Sequence, residues 1–326
     1  PNGLRKAKDN SPYAPEASAK NIFMIPLEKL ASDEYGNILS KATFNKIVAN
    51  NPDKNNVDYD YVRKAYNVAL KEAFNNGKNS KEFIEFKQQN EEKYEQSAIF
   101  HLLNELYDGK KWSSLDSNLY STVDEVKAND RINELKSKYK NDYDFYIFNQ
   151  MILEKENEKS NKLARETGVK IIGDSPVAQT AVDEWVNQKL FLKGKAIGCP
   201  PDYFSKDGQR WGFKYYAPEK IFNKDGSLGE AGEVLKKKYE DYFASFPGGI
   251  RIDHVIGLID PFIYTTSAKK MTPQNSGRIY SVEGKYKKNS LDEYAALLTK
   301  IIIPAAEKFG LNKSSIICED LGDATK

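Results

Sequence analysis

The chain has 326 residues, a mass of 37.0 kDa and a formal net charge of +2, from 49 basic and 47 acidic side chains. This length suits one large α/β domain with insertions, or two ordinary domains. The charges are balanced and form no basic block, which argues against nucleic-acid and membrane partners and favours a neutral or small ligand. No stretch approaches the roughly 20 apolar residues that a membrane-spanning helix needs.

The two cysteines, Cys199 and Cys318, lie far apart and lack the spacing of metal ligands. We therefore expect neither a disulfide framework nor a zinc site, and the pattern fits a reducing, cytoplasmic setting. The polar start of the chain is unlike a signal peptide. With only two histidines, His101 and His254, a catalytic triad or a metal cluster has little support.

The first elements in chain order are a predicted short buried strand at 21–26, ended by a proline, and a helix that begins at 27–30. From about residue 37 to residue 141 the sequence is rich in Lys, Glu and Asn, and its apolar residues recur at helical spacing. We interpret this segment as a helical insertion with solvated faces.

After the insertion, the pattern alternates between helix and strand, which is typical of repeated βα units around a parallel sheet. The first unit is a predicted helix over 144–166, ended by Gly168 as a left-handed cap. A strand is predicted at 169–173, and Asp174 follows it. The first predicted strand of this region therefore ends in a carboxylate.

Two further units end in the same way. An amphipathic helix over 234–246 turns at Gly248-Gly249 into a strand, Ile250–Asp253, that closes with its own carboxylate. A third helix is predicted from a capping box at 290–293 to Gly310, with a kink at Pro304. The strand that follows it, 315–318, delivers Glu319.

Three strand ends that carry carboxylates favour an α/β barrel, because catalytic groups of such barrels cluster at the carboxyl ends of the strands. A plain barrel uses roughly 30 residues per βα unit. The carboxylates lie much farther apart than that, so long loops must separate the strands, and such loops usually build substrate clefts. We assign 1–36 to the start of a catalytic barrel, 37–141 to a mainly helical insertion subdomain, and 142–326 to the barrel with its substrate-binding loops.

Side chains alternate along a strand, so Arg251 and Asp253 should face the same way while Ile250 and Ile252 pack against helices. A neighbouring guanidinium should lower the pKa of Asp253 and keep it ionised, as a nucleophile requires. A structural ion pair at a strand end explains the same residues equally well.

Glu319 shares its side of the strand with Ile317, so desolvation should raise its pKa and suit it to proton donation. A turn or a helix cap is the simpler reading of that segment by itself. Two carboxylates about 5 to 5.5 Å apart, one attacking and one protonating, are what a retaining glycosidic mechanism requires.

A turn-rich loop offers groups that suit a sugar: carboxylate, amide and indole, in the segments 200–204 and 208–212. A folded surface loop anchored by a buried Trp211 explains it equally well. His254, next to Asp253, could hydrogen-bond a sugar hydroxyl or serve as structural support. His101 lies on an apolar helical face and is expected to be a packed histidine.

These residues resemble the 4-α-glucanotransferases, or amylomaltases, of glycoside hydrolase family 77. The resemblance rests on seven segments in matching order and spacing, which are NSPYAP at 10–15, IIGDSP at 171–176, DEW at 183–185, CPPDYF at 199–204, GQRWG at 208–212, RIDHVIGL at 251–258 and CEDLG at 318–322. It implies a (β/α)8 TIM barrel of the amylase clan, with helical insertions, in a cytoplasmic enzyme of starch, glycogen or maltodextrin metabolism.

The resemblance also implies the chemistry. Asp253 would be the nucleophile that forms a covalent glucosyl-enzyme, Glu319 the general acid and then base, and Arg251 the support of the nucleophile. α-1,4-Glucans and maltooligosaccharides would be the partners, with no metal or cofactor. The same carry-over places further residues along the glucan subsites, namely Ser11, Tyr13, Asp174, Pro201, Asp202, Gln209, Trp211 and His254.

The sequence departs from the family pattern at Phe213-Lys214, where many members have Asn-Pro, and at Val255-Ile256, where one subgroup has Phe-Arg. Both departures bear on acceptor preference. The resemblance further implies a third carboxylate in a later His-Asp pair that these 326 residues do not contain, so we expect a barrel without its first edge and its later strands. An α-glucan hydrolase of the amylase clan and a non-catalytic glucan-binding protein are the alternatives, and the oligomeric state stays undetermined.

Overall fold

A computed structural model of the chain describes residues 19–53, 55–107, 116, 119, 125–201, 203, 205–282, 285–286, 292 and 295–319. Ser11, Tyr13, Asp202 and the capping box at 290–293 lie outside the described residues, apart from Asp292. The contacts divide the chain into two compact units. Among the described residues, 19–160 form the helical unit and 161–319 form the sheet unit. The assignment of 1–36, 37–141 and 142–326 stays a prediction.

The helical unit is built from α-helices whose starts follow from local capping. Its helices, the last of which runs on into the sheet unit, are α1 (Leu27–Leu30), α2 (Lys41–Ala49), α3 (Tyr59–Gly77), α4 (Lys81–Leu106), α5 (Glu125–Lys138) and α6 (Lys140–Thr167). Ser40, Asp58 and Ser80 each accept a hydrogen bond from an amide of the first turn, at the starts of α2, α3 and α4. The helical character predicted for the insertion is therefore present.

The strand predicted at 21–26 is wrong, because Ile22–Met24 form a 3₁₀ helix. The Asn21 side chain accepts a hydrogen bond from the amide of Phe23 at 3.1 Å, which turns the chain at the point where a strand would extend. Ile25 is buried all the same, whereas Met24 is exposed. The apolar run thus predicted the burial of Ile25 but not the backbone conformation.

The interior of the helical unit contains a cluster of aromatic rings. Phe74 meets Phe83, Phe145 and Phe148 edge-on, with ring centroids 5.6 to 6.4 Å apart. A Cβ at Gly77 would lie 2.8 Å from the ring of Phe148, so that ring can pack directly on the α3 backbone only beside a glycine. Packing of these rings specifies how α3, α4 and α6 meet.

A second feature of the helical unit is a partly buried carboxylate, Glu154, on α6. It accepts hydrogen bonds from Lys20 at 2.9 Å, Lys93 at 2.7 Å and the hydroxyl of Tyr94 at 2.5 Å. Burial by itself would raise the pKa of Glu154, but the two lysines and the hydroxyl outweigh it and lower the pKa from 4.5 to about 2. The ionised form is therefore the one that the fold stabilises.

The sheet unit alternates strands and helices. Its strands are β1 (Gly173–Ser175), β2 (Lys195–Cys199), β3 (Gln209–Phe213), β4 (Ile250–Ile252), β5 (Phe262–Thr265), β6 (Ser276–Arg278), β7 (Ser281–Val282), β8 (Lys285–Tyr286) and β9 (Ile316–Cys318). Its helices are α7 (Ala181–Val186), α8 (Pro218–Ile221), α9 (Glu230–Ser245), α10 (Val255–Ile259) and α11 (Ile303–Glu307), with a π-helix at Leu297–Ile302.

β1, β4 and β9 form a parallel sheet with β4 in the centre. β3, β2, β5 and β6 form an antiparallel sheet in that order, and β7 pairs with β8. The predicted βα units are therefore present as parallel strands. A mixed α/β architecture is confirmed, whereas the part of the chain that the structure describes shows no closed barrel.

The first predicted strand is displaced by a few residues. The chain enters the sheet at Gly173, so Val169 and Ile172 are exposed and Asp174 lies within β1 instead of after it. The reason is a long-range contact with Phe246. A Cβ at position 173 would lie 2.2 Å from the ring of Phe246, so the strand can pack against that ring only where it has a glycine. The cap at Gly168 is confirmed, with φ of 72° after α6.

The other two units follow the prediction more closely. Gly249, at φ 119°, leads into β4, and the β4 side chains alternate as expected. Ile250 and Ile252 are 0% and 1% exposed and belong to the core that includes Phe243 of α9. Pro304 lies at the start of α11, directly after the π-helix, and has no N–H for the helical ladder. The kink at this residue stays a prediction.

Candidate active site

The carboxyl ends of the three parallel strands bring distant residues side by side. In register, Asp174 of β1 pairs with Arg251 of β4, and Ile252 pairs with Cys318 of β9. The ladder continues past the strands, where the amide of Asp253 donates to Ser175 at 3.0 Å and the amide of Glu319 donates to Ile252 at 3.0 Å. Three acidic side chains therefore meet at one edge of the sheet.

Arg251 lies at the centre of these carboxylates. Its Nη1 donates to Oδ1 of Asp174, and its Nη2 donates both to Oδ1 of Asp253 at 2.9 Å and to Oε1 of Glu319 at 3.0 Å. The four side chains are 22% to 37% exposed, so solvent reaches the cluster. One guanidinium thus fixes three carboxylates by a planar fork of donors.

The pKa values of Asp253 and Glu319 shift in the directions opposite to those expected from the sequence. Burial and the neighbouring Glu319 raise the pKa of Asp253, and Arg251 only partly offsets this. The amide of His254, together with Asp253 and Arg251, lowers the pKa of Glu319 although burial acts the other way. Sequence reasoning took Ile317 for an apolar neighbour, but that side chain is 46% exposed, and the amide donor was not foreseeable.

His254 adopts a left-handed backbone conformation, with φ 45° and ψ 57°. Its amide donates to Oε2 of Glu319 at 2.9 Å, and its ring meets Trp211 edge-on with centroids 5.2 Å apart. Trp211 in turn donates from Nε1 to the side chain of Gln209 at 3.1 Å, within β3. These contacts connect the carboxylate cluster with two of the residues that the sequence assigned to sugar binding.

The loop before β3 is held close to β2. A Cβ at Gly208, whose φ is 70°, would lie 2.5 Å from the carbonyl oxygen of Cys199 and 3.1 Å from the amide nitrogen of Pro201. Glycine is therefore required where this loop folds back. Pro201 is exposed beside it.

Sequence reasoning missed Gly257. A Cβ at that position would lie 2.4 Å from Cδ2 of the His254 ring, so only glycine leaves room for the imidazole where it lies. The signal in the sequence was a glycine three residues after His254, inside the apolar run at 255–259, where glycine has no local advantage.

No group of His, Cys, Asp and Glu suited to a metal ion occurs within the described ranges. Of the helices in those ranges, none is both long enough and apolar enough to cross a bilayer. The site itself presents a carboxylate pair, Asp253 and Glu319, bridged by the guanidinium of Arg251.

Comparison with known proteins gives a consistent set of relatives. The sequence profile of the 4-alpha-glucanotransferases, glycoside hydrolase family 77, matches residues 2–326. The 4-alpha-glucanotransferase of Aquifex aeolicus is 29% identical over 216 residues, which are 64% of this chain and 42% of that protein. The enzyme of the same name from Streptococcus pneumoniae is 30% identical over 265 residues, or 76% and 49% of the two chains.

A solved structure shares the fold. The amylomaltase from Streptococcus agalactiae in complex with acarbose superposes with a TM-score of 0.75 and 22% identity, covering 99% of this chain and 60% of that one. The chloroplastic/amyloplastic 4-alpha-glucanotransferase of Arabidopsis thaliana, 25% identical, aligns with 97% of this chain and 51% of its own length. The chain thus spans about half the length of several curated relatives that it matches.

Proposed function

Because the chain belongs to glycoside hydrolase family 77, the 4-alpha-glucanotransferases, we propose that it transfers α-1,4-glucan segments between maltooligosaccharides by a retaining double displacement. The observation that carries the proposal is the shared donor, since one nitrogen of Arg251 hydrogen-bonds both Asp253 and Glu319. The family membership supports the reaction, and this geometry supports the choice of residues.

The separation of the two carboxylates supports retention over inversion. Their contacted oxygens both lie within 3.0 Å of the same nitrogen. These two oxygens are therefore less than about 6 Å apart, which favours a closer pair than the roughly 6.5 to 9.5 Å between the carboxyl groups of an inverting enzyme. A retaining pair is closer, at about 5 to 5.5 Å, which leaves room for the sugar carbon alone.

In the first half-reaction, an Asp253 oxygen attacks the anomeric carbon and the glycosidic bond breaks. Glu319 gives its proton to the departing glucan oxygen, which leaves a glucosyl ester on Asp253. In the second half-reaction, Glu319 takes the proton of an acceptor hydroxyl, the acceptor attacks the anomeric carbon, and the ester bond breaks. The departing segment is replaced by another glucan, so the number of glycosidic bonds is conserved.

The reaction requires Asp253 ionised and Glu319 protonated, whereas burial and the neighbouring Glu319 raise the pKa of Asp253, and the His254 amide lowers the pKa of Glu319. A bound sugar would reverse this preference in two ways. It would separate the two carboxyl groups, which removes the effect of Glu319 on Asp253, and it would exclude water from Glu319, which raises the pKa of that carboxyl. Arg251 would remain beside the ionised Asp253.

The substrate site follows from the neighbouring residues. Trp211 offers an indole face and Gln209 an amide beside His254, which suits a polyhydroxylated ring. Asp174, Pro201 and the positions outside the described residues, which are Ser11, Tyr13 and Asp202, complete the proposed glucan subsites. A (β/α)8 barrel of the amylase clan, to which β1, β4 and β9 would belong, completes the proposed architecture.

The test is incubation of the full-length protein with maltotriose, followed by chromatography of the products. Transfer predicts glucose together with maltooligosaccharides longer than three units. Asp253→Asn or Glu319→Gln should lower the transfer rate by several orders of magnitude, since covalent and acid-base catalysis both act in the transition state. Asp60→Asn, on α3, is the matched control and should transfer at the parental rate, because its side chain is 86% exposed.

Each other outcome points to a different function. Products shorter than maltotriose alone would indicate an α-glucan hydrolase and would overturn the transfer proposal. Maltooligosaccharide binding that survives Asp253→Asn, without turnover by the parent, would indicate a glucan-binding protein. A parental transfer rate in Glu319→Gln would refute the assignment of the acid and base.

A further inference from the structure

We propose that His254 is a positioning residue whose left-handed main chain, rather than its imidazole, orients Glu319 for proton transfer, while Gly257 fixes the place of the imidazole. The proposal rests on the role of Glu319 as the acid and base. It assigns to His254 a function that does not require contact with the sugar.

The first observation is the backbone conformation. His254 has φ 45° and ψ 57°, and among the described non-glycine residues only Asn37 also has positive φ. Asparagine tolerates this region through local hydrogen bonds, whereas histidine gains less from it. Residues held in such conformations cluster at functional sites when surrounding contacts enforce them.

The second observation is that contacts on both sides enforce the turn. Before it, the amide of Asp253 donates to Ser175 at 3.0 Å, which fixes the end of β4 in the sheet. After it, the amide of Gly257 donates to the carbonyl of His254 at 2.8 Å, which begins α10. The chain must therefore change from strand to helix within two residues, Asp253 and His254.

The third observation is the direction of the amide. The carbonyl of Ile252 accepts from the amide of Glu319, so the main-chain groups of Ile252 face β9. Every second residue along a strand faces the same neighbouring strand, so the main-chain groups of residue 254 would also face β9. In an extended strand its amide would seek a backbone carbonyl. The left-handed turn gives it the side-chain Oε2 of Glu319 instead, at 2.9 Å.

The imidazole is held separately. A Cβ at Gly257 would lie 2.4 Å from Cδ2 of the imidazole, so glycine leaves room for the ring on this side. The ring also packs edge-on against Trp211. Gly257 and Trp211 thus hold the ring, whereas Glu319 accepts from the amide, so ring and amide can be perturbed independently. This independence is what makes the proposal testable.

The charged groups that face Glu319 are Arg251 and Asp253 from β4, with Asp174 of β1 reached through the same guanidinium. The His254 amide is the largest single influence that lowers the pKa of Glu319. A group whose pKa is lowered by a donor must regain a higher pKa when that donor is lost. Loss of the left-handed turn should therefore shift the titration of Glu319 upward.

The experiment is a titration of ¹³C-labelled glutamate carboxyls by NMR without substrate, with Glu319 assigned by its loss in Glu319→Gln. His254→Gly and His254→Asn keep the turn and should leave the Glu319 midpoint at its parental value. His254→Val disfavours the turn because it is β-branched, and should move the midpoint upward. His254→Ala should give a smaller upward shift, which preserves the test if the valine variant does not fold.

A midpoint that stays at the parental value in His254→Ala and His254→Val would overturn the proposal. So would an equal upward shift in His254→Asn, because that result would assign the effect to the imidazole. The titration requires no turnover, so it separates two failures. A parent that titrates as expected but does not transfer glucan refutes the proposed function and leaves the positioning role in place.

Discussion

Removal of the Arg251 fork should weaken transfer and also shift its pH dependence. Arg251→Gln deletes the two hydrogen bonds that its Nη2 donates to Asp253 and Glu319. A hydrogen bond to a charged group contributes about 1.5 to 3 kcal/mol, and the lower end applies here because the side chain is 37% exposed. Two such bonds amount to about 3 kcal/mol, or a loss of about 10²-fold in kcat/KM for maltotriose.

The pH profile gives a second, independent readout. Arg251 lowers the pKa of both Asp253 and Glu319, so both pKa values rise when it is removed. Asp253 must be ionised to attack, and the acid limb of the profile of kcat/KM against pH should therefore move to higher pH. Arg251→Lys should restore part of this limb, because it keeps the charge without the planar fork.

The matched control is Arg63→Gln in the helical unit, which also removes one guanidinium. Its ion-pair partner, Asp60, is 86% exposed, so transfer should remain at the parental rate. The assay is the initial rate of glucose release from maltotriose across pH. A kcat/KM within threefold of the parent in Arg251→Gln, with an unmoved acid limb, would refute this reasoning.

Two further predictions concern stability. Glu154→Gln should lower the free energy of unfolding by on the order of 3 kcal/mol at pH 7, because the pKa of Glu154 is about 2 in the folded protein against 4.5 ordinarily. This contribution is present above pH 4.5 and is lost as the pH falls toward 2. Urea unfolding measures the difference, and a difference that is equally large near pH 2.5 would contradict the prediction. Gly173→Ala should destabilise the protein by about 1 to 3 kcal/mol, because its Cβ would lie 2.2 Å from the Phe246 ring, and Phe246→Leu in the same chain should recover part of the loss in thermal unfolding.

The local pattern of the sequence was enough to predict several elements. Alternation along β4 assigned Ile250 and Ile252 to the core and Arg251 and Asp253 to the opposite side, and this is confirmed because strand periodicity is a property of the backbone itself. Gly168 was predicted as a cap for the same kind of reason, since few residues other than glycine readily adopt its φ.

Local pattern failed where particular side-chain contacts decided the conformation. Residues 21–26 have the apolar content of a strand, yet the side chain of Asn21 turns them into a 3₁₀ helix. β1 begins four residues later than predicted, because its position depends on Phe246, more than 70 positions away. Apolar content indicates burial, whereas strand limits depend on partners that the segment does not contain.

The sequence by itself determined which residues could do chemistry, and family membership followed from its motifs. It placed Asp253 as the last residue of one strand and Glu319 directly after another, and in the structure both follow their strands directly. Only the tertiary structure decided how these residues interact. Arg251 lies 77 positions after Asp174 and 68 before Glu319, and strand pairing alone brings the three together. The directions in which their pKa values shift depended on the burial of Asp253 and on the amide of His254, which lies 65 positions before Glu319, and local pattern reveals neither.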